Sequence, residues 1–327
     1  MSGKLAVIAF GGNALVRDAD HQSIPDQYTT VADTVPAIID MIEAGWNVVV
    51  THGNGPQVGY ILRRSELALS EIAPVPLDYA VGDTQGAIGY MFTKALGNEL
   101  ARRGLHQPVA TVLTQTVVDP DDAAFARPTK PVGGFFDETA ARRFERDLGW
   151  TVAADGAQGW RRTVPSPVPQ EIVELDTIRT LVDAGTLVVA CGGGGIPVAR
   201  HANDQLVGVE AVIDKDRASG LLAAELGADL LVIPTGVEQV AIRFGTPEQQ
   251  WLGHLTPAAA AQYAAQGHFG EGSMGPKIDA VLDFLRARPT AAGLITALAC
   301  IAAALDRRSG TWIENTPAPE RYEELQR

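Results

Sequence analysis

Apolar positions along this chain fall into two alternating patterns. Short unbroken runs rich in Val, Ile and Leu give way to longer stretches in which apolar residues recur every third or fourth place. The runs predict buried strands over 5–10, 47–51, 109–114, 187–191, 230–235 and 293–297. The stretches predict helices over 28–44, 58–69, 84–103, 171–184, 217–226, 257–266 and 274–288. Pro36 is tolerated inside the first of these, while Gly45 and Gly104 close the first and third. Strands that are apolar on both faces and alternate with helices predict an α/β protein, a parallel sheet covered by helices.

Between 119 and 164 the alternation stops. PDDAAFARPTKPVGGFF is followed by a short charged helix predicted over 138–146 and then by turn-rich sequence ending in GWRRTVPSPVP. Apolar periodicity here is too weak for another core unit, so the segment reads as an excursion from the main sheet. Trp150 and Trp160 are expected to anchor it.

Three of the predicted strands run straight into glycine: Gly11-Gly12, Gly53-Asn54-Gly55 and Gly192 to Gly195. Glycine lets backbone N–H groups approach an anion with no Cβ in the way, and helix N-termini nearby add positive partial charge. In an open α/β sheet the carboxyl ends of the strands form the ligand crevice. Three such loops converging there point to a phosphate-rich ligand.

Charge sharpens this picture. The 327 residues carry a formal net charge of −13, which argues against a nucleic-acid surface. An acidic protein handling anions must concentrate its positive charge locally. The chain has 21 arginines but only five lysines, and three of those, Lys130, Lys215 and Lys277, sit in Gly/Pro/Asp punctuation. A compact ammonium suits charge spread over a transferring phosphoryl group better than a planar fork does. Two cysteines, Cys191 and Cys300, make neither a disulfide framework nor a zinc site, and Cys191 is expected in the core. No apolar run is long enough to cross a bilayer, and the N-terminal residues read as a strand, so a soluble, cytoplasmic protein is expected. The P-loop and dinucleotide fingerprints, a serine elbow and a zinc-ligand helix are all missing from the sequence.

AFGGNAL, THGNGPQVG, VATVLTQTVVDP, PTKPVG, GWRRTVPSP, CGGGGIPV, GVEAVIDKDRAS, ADLLVIPTGV and GHFGEGSMGPKIDA, in that order from Ala6 to Thr311, closely resemble carbamate kinases of the amino acid kinase family. The resemblance implies an αβα sandwich on a mainly parallel sheet of about eight strands, in a homodimer. It implies reversible phosphoryl transfer between ATP and carbamate, giving carbamoyl phosphate and ADP, in arginine or related nitrogen catabolism. Residues 1–225 would form the carbamate and phosphoryl part, with 119–164 as a protruding subdomain, and 226–327 the nucleotide part. Lys130, Lys215, Asp216 and Lys277 match catalytic positions. Gly11, Gly12, Asn13, Gly53, Asn54, Gly55, Gly193 and Gly194 match the loops around the transferred phosphate and carbamate. Thr235, Gly236, Val237, Phe244, Gly272, Ser273 and Met274 fall in the nucleotide region, and Mg2+ would ride on the ATP or ADP phosphates, with no protein cage of its own.

The sequence departs from its relatives in places. Many amino acid kinases carry a lysine two residues before the first Gly-Gly, where this chain has Ala9; the resemblance gives the missing charge to Lys130. Phe244-Gly245-Thr246-Pro247 stands where Tyr-Gly-Lys-Pro is common, and AVGDTQG differs before its TQG. Plainer roles compete at each residue. Asp216 could be a helix N-cap, Lys215 part of an exposed salt-bridged trio with Asp214 and Asp216, Lys277 a solvated lysine, and Lys130 a loop-surface cation. His52 reads as a packed or loop-bonding histidine. Two other functions remain open: a phosphotransferase of the same fold acting on a different small anion, and a non-catalytic nucleotide-binding regulator.

Overall fold

The computed structural model describes residues 3–12, 15–16, 20–156, 159–270 and 274–316. The chain opens with β1 (Leu5–Phe10), α1 (Ile24–Glu43), β2 (Asn47–His52), α2 (Gly55–Leu67) and α3 (Leu77–Arg102). There follow β3 (Val109–Thr111), β4 (Gln115–Val118), α4 (Ala123–Ala126), β5 (Lys130–Phe136), α5 (Glu138–Leu148), β6 (Thr151–Ala154) and β7 (Trp160–Val164). Next come β8 (Pro169–Ile172), α6 (Leu175–Asp183), β9 (Leu187–Val189), β10 (Ile196–Arg200), β11 (Leu206–Gly208), α7 (Lys215–Leu226) and β12 (Leu230–Thr235). The remainder is β13 (Val240–Ile242), β14 (Gln250–Leu252), β15 (His254–Leu255), α8 (Pro257–Ala265), α9 (Gly275–Ala287), β16 (Ala292–Ala297), α10 (Ile301–Leu305) and β17 (Thr311–Glu314).

The main sheet has eight strands in the order β15-β17-β16-β12-β1-β2-β9-β3. All neighbours pair parallel except β16 with β17. Alternation along β1 splits the core into two layers. Leu5, Val7 and Ala9 join Leu222 of α7 and Val281 and Phe284 of α9 on one face. Ala6, Ile8 and Phe10 join Ile38 of α1 and Ile88 and Phe92 of α3 on the other. This is the αβα sandwich that the resemblance implied.

None of the described residues of 119–164 joins that sheet. They build a separate three-stranded sheet, β5-β7-β6, with α5 across it. An aromatic cluster holds it: Trp150 lies 4.9 Å from Phe144 and 6.3 Å from Phe136, ring centre to ring centre, while Arg142 stacks over Trp160 and Arg162 over Trp150. The lobe packs on the core through Val132 and Val164, which meet Val58 and Leu62 of α2.

Several boundaries differ from the periodicity. α1 starts at Ile24 because Ser23 and Asp26 form a capping box, each side chain bonding the other's backbone N–H. α3 starts seven residues before the predicted helix, Gly82 and Gly86 having diluted its apolar stripe. The helix predicted over 171–184 begins at Leu175. Pro169–Ile172 pairs instead with β4, and the Glu174 carboxylate accepts from the backbone N–H and side chain of Gln115 at 2.7 and 2.8 Å. β3 and β9 are shorter than predicted, β9 because Cys191 turns left-handed at φ 49°. The hairpin strands β10, β11, β13 and β14, the edge strand β15 and its neighbour β17, all short, escaped the periodicity altogether.

Candidate active site

β1, β2 and β9 deliver their glycine loops to one end of the sheet. The loops interlock: Gly53 N–H donates to the Phe10 carbonyl at 2.8 Å, and Pro56 packs on Gly12. Gly193 has φ 67°, and any Cβ there would run into the Asn54 side chain, so only glycine fits. Asn54 is itself held by donating to Thr84 Oγ1 at 2.9 Å. Behind the third loop, Gln85 Nε2 donates to the Gly192 carbonyl at 2.9 Å and Thr116 Oγ1 to that of Gly194 at 3.0 Å. The cradle is therefore braced from outside, by residues of α3 and β4 that carry no glycine signature.

α7 and α9 bring the charges. Asp214, not Asp216, is the N-cap of α7, its carboxylate accepting from the N–H groups of Asp216 and Arg217. That frees Asp216, in the first turn, to point its carboxylate sideways. The two helices come close because α7 has Gly220 where a Cβ would stand 2.9 Å from the Ala280 carbonyl of α9. Their starts then face one another. Lys215 Nζ binds Asp216 Oδ1, and Lys277 Nζ binds Oδ2 at 2.9 Å. The Lys215 ammonium also reaches the Ala9 carbonyl at 3.4 Å, and its stem runs past Gly11 and Gly53. Ser219 and Thr51 tie this turn to β2 through a 2.6 Å hydroxyl pair.

The cluster is not an exposed trio: Asp216 is 4% exposed. Burial pushes its carboxyl up, but Lys215 and Lys277 outweigh that and hold it below the usual carboxylate range. Burial also pushes the Lys215 ammonium down, against the pull of Asp216. Two ammonium groups share one carboxylate, so positive charge is left over where the glycine loops meet.

Lys130, at the start of β5, comes from the small lobe to the same corner. Its Nζ lies 3.2 Å from Asp214 Oδ2, although its side chain is half exposed. Lys215, rather than Lys130, makes the contact at Ala9, whose methyl group is buried in the core. His52 lies beneath the loops, stacked 5.8 Å from Phe92, with Nδ1 against the Gly53 carbonyl at 2.9 Å. Burial lowers its pKa to about 4, so it is neutral at pH 7 and is the packed, loop-bonding residue expected. Cys191 is buried with its thiol pushed up by burial, an inert core group.

Lys215, Asp216, Lys277, Gly11, Gly12, Gly53, Asn54, Gly55 and Gly193 thus meet around one corner, with Gly194 beside them and Lys130 at its rim. Thr235, Gly236 and Val237 lie at the carboxyl end of β12, next to β1, and Met274 precedes α9. Phe244, exposed between β13 and β14, stacks edge-on against Trp251 at 6.1 Å. Among the described residues no hydrogen bond or ion pair joins Thr235, Val237 or Phe244 to the lysine cluster. Asn13, Gly272 and Ser273 lie outside the described residues. No group of three or more His, Cys, Asp or Glu side chains that could hold a metal ion occurs among the described residues, and both Asp216 oxygens are taken by lysines. Among the described residues, the side chains therefore form no metal cage. Also among the described residues, no helix is long and apolar enough to cross a membrane.

Residues 4–291 match the model of the amino acid kinase family. The chain belongs to that family. Within it, the chain is 45% identical to the carbamate kinase of Thermococcus kodakarensis, over 95% of this chain and 99% of that one. It is likewise 45% identical to the carbamate kinase of Halobacterium salinarum, over 96% and 99%. Among solved structures of this amino acid kinase fold, carbamate kinase from Giardia lamblia bound to AMP-PNP superposes with a TM-score of 0.90 at 39% identity, covering 96% of this chain and 99% of that one.

Proposed function

We propose that the protein is a carbamate kinase, transferring a phosphoryl group reversibly between ATP and carbamate. The observation that carries this reading is the meeting of Lys215 and Lys277 on the buried Asp216, beside glycine loops at the carboxyl ends of β1 and β2. The names of the relatives supply the substrate class.

Carbamate is already an anion at neutral pH and needs no general base. The work is to bring two anions together in line and to offset charge on the transferring group. Lys215 and Lys277 face phosphate charge, Lys130 the carbamate or phosphoryl group, and Asp216 fixes the directions of the first two. The N–H groups of the loops at Gly11, Gly12, Asn13, Gly53, Asn54, Gly55, Gly193 and Gly194 complete the cradle. Towards ATP, the bond from phosphorus to the carbamoyl oxygen breaks and one to a terminal β-phosphate oxygen of ADP forms. Carbamate leaves with the electron pair. Thr235, Gly236, Val237, Phe244, Gly272, Ser273 and Met274 bound the nucleotide, which arrives as its Mg2+ complex. A homodimer working in the cytoplasm completes the proposal.

The test is ATP formation from ADP and carbamoyl phosphate, with acetyl phosphate as the control donor. Robust ATP formation from carbamoyl phosphate is expected; a purified, folded protein that makes none overturns the reading. Sedimentation equilibrium checks the dimer.

A further inference from the structure

Of the three lysines at the corner, Lys130 alone comes from the lobe, and its side chain is half exposed. A free lysine samples many rotamers, so one that must meet an anion at a fixed place needs something to hold it there. Among the described residues, the two ion pairs that tie the lobe to the rest of the chain both end on residues 210–214. These form the short strap between β11 and α7. Arg162 of β7 donates to Glu210 Oε2 at 2.9 Å, and Lys130 of β5 donates to Asp214 Oδ2 at 3.2 Å.

Each carboxylate has a second task at the start of a core helix. Glu210 Oε1 accepts from Leu77 N–H at the start of α3 at 2.9 Å. Asp214 Oδ1 caps α7, the helix that carries Lys215 and Asp216. The strap between them is held as well. Val212 N–H donates at 3.0 Å to the carbonyl of Pro165, directly after β7, and Val212 packs with Val132 and Val164 of the lobe. The Ile213 carbonyl lies against the third glycine loop, where a Cβ on Gly194 would stand 2.5 Å from it. One strap therefore touches the lobe, a glycine loop and the starts of α3 and α7. An ammonium has three N–H groups; Asp214 takes one from Lys130 and leaves two for an anion.

From this juxtaposition we propose that Asp214 and Glu210 are positioning residues for Lys130. Asp214 holds the ammonium beside Lys215. Glu210 seats the strand pair that carries it, because Arg162 lies opposite Val132 in the same β5–β7 ladder in which Lys130 lies opposite Val164. The proposal rests on the carbamate kinase reading and on the part Lys130 plays in it. No bond is made or broken at either carboxylate.

The experiment measures kcat/KM for carbamoyl phosphate and KM for ADP in the wild-type protein, Asp214→Asn and Glu210→Gln, each with Lys130 present and in Lys130→Ala. ATP is read by luciferase luminescence, so slow variants remain measurable. Asparagine caps a helix as well as aspartate does, and glutamine keeps an oxygen for Leu77 N–H, so both variants should fold. Removing negative charge beside an anion site favours anions through space, so a loss of rate cannot come from local charge. With Lys130 present, each variant should lower kcat/KM for carbamoyl phosphate roughly three- to fivefold, the size of a half-exposed ion pair, with KM for ADP within about twofold. In Lys130→Ala nothing remains to be aimed, and neither should lower it further. An equal loss with and without Lys130 would mean that the carboxylate acts only on its helix start. No loss, or a rise, would mean that Lys130 finds the corner unaided. Either result overturns the proposal for that residue, and each residue is decided independently should the other variant fail to fold. Lys130→Ala as active as wild type would remove the lysine from the reaction and the proposal with it. A wild-type protein that makes no ATP from carbamoyl phosphate fails the functional reading itself, a result distinct from all of these.

Discussion

Asp216 carries more of the site than any other single residue, because each of its oxygens fixes one lysine. Removing one partner from a buried ion pair is costly, since the remaining charge loses its compensation. Lys277→Ala should therefore lower stability by about 1–3 kcal/mol in urea unfolding and turnover by roughly 10²–10³-fold. Near-normal ATP formation by the folded variant would remove Lys277 from the phosphate site. Lys215→Arg should fail as well, because a planar fork must fit between Gly11 and Gly53 where an ammonium stem now runs. His52 offers a pH test at the same scale. Its pKa is about 4 in the fold against 6.5 unperturbed, so between those values the unfolded chain binds the extra proton and stability falls as pH drops. From pH 7.5 to 5.0 the wild-type protein should lose about 2 kcal/mol more than His52→Gln. Identical losses would mean that His52 is not held neutral. The scarcity of lysine in the sequence singled out Lys130, Lys215 and Lys277. It could not show the Thr51–Ser219 bridge or the Gln57–Gln27 bond, whose partners lie 168 and 30 positions apart, and it did not separate Asp214 from Asp216 as the cap, two residues of the same type side by side with Lys215.

Among the elements, the long apolar runs were legible because a strand buried on both faces has no polar alternation to confuse it. Short hairpin strands such as β10 and β11 were not, since three to five residues carry too little pattern, and the early turns of α3 were hidden by glycine. The most consequential contact between elements, α7 on α9, was also invisible, although its cause is one residue. Gly220→Ala tests it with two opposing terms. Alanine should raise helix propensity by about 0.5–1 kcal/mol. Its methyl group would meet the Ala280 backbone carbonyl at 2.9 Å, and backbone cannot swing aside. Overpacking of this kind costs about 1–3 kcal/mol, so the clash should win. The variant should melt earlier than wild type and lose turnover, because parting the helix starts pulls Lys277 from Asp216. A melting temperature equal to or above the wild-type value would show that the approach of the two helices tolerates a methyl group.

At the scale of the whole molecule, the weak periodicity of 119–164 marked the segment as separate from the main sheet. How firmly it is seated was not legible. Val132 and Val164 pack on Val58 and Leu62, and Arg162 binds Glu210, whose other oxygen accepts from Leu77 N–H at the start of α3. Seated this way, the lobe holds Lys130 against Asp214, one residue from Lys215. Such a half-exposed pair contributes little to stability, about 0–1 kcal/mol, so its value would lie in delivering charge. Lys130→Ala should therefore leave the melting temperature almost unchanged while ATP formation falls by roughly 10²-fold or more. A stronger version replaces residues 128–163 with a glycine-serine linker, sparing α4, because Phe125 packs on the buried Val118 and Ile213 and Asp122 accepts from Val168 N–H. That deletion uncovers Val58 and Leu62, so some loss of stability is expected, and circular dichroism must first show a folded core. Calorimetry should then find ADP affinity close to that of the full chain, with phosphoryl transfer from carbamoyl phosphate lost. Vigorous ATP formation by the deletion variant would sink the idea that the lobe delivers a catalytic charge. Loss of ADP binding by a well-folded deletion variant would place the lobe in the nucleotide site instead.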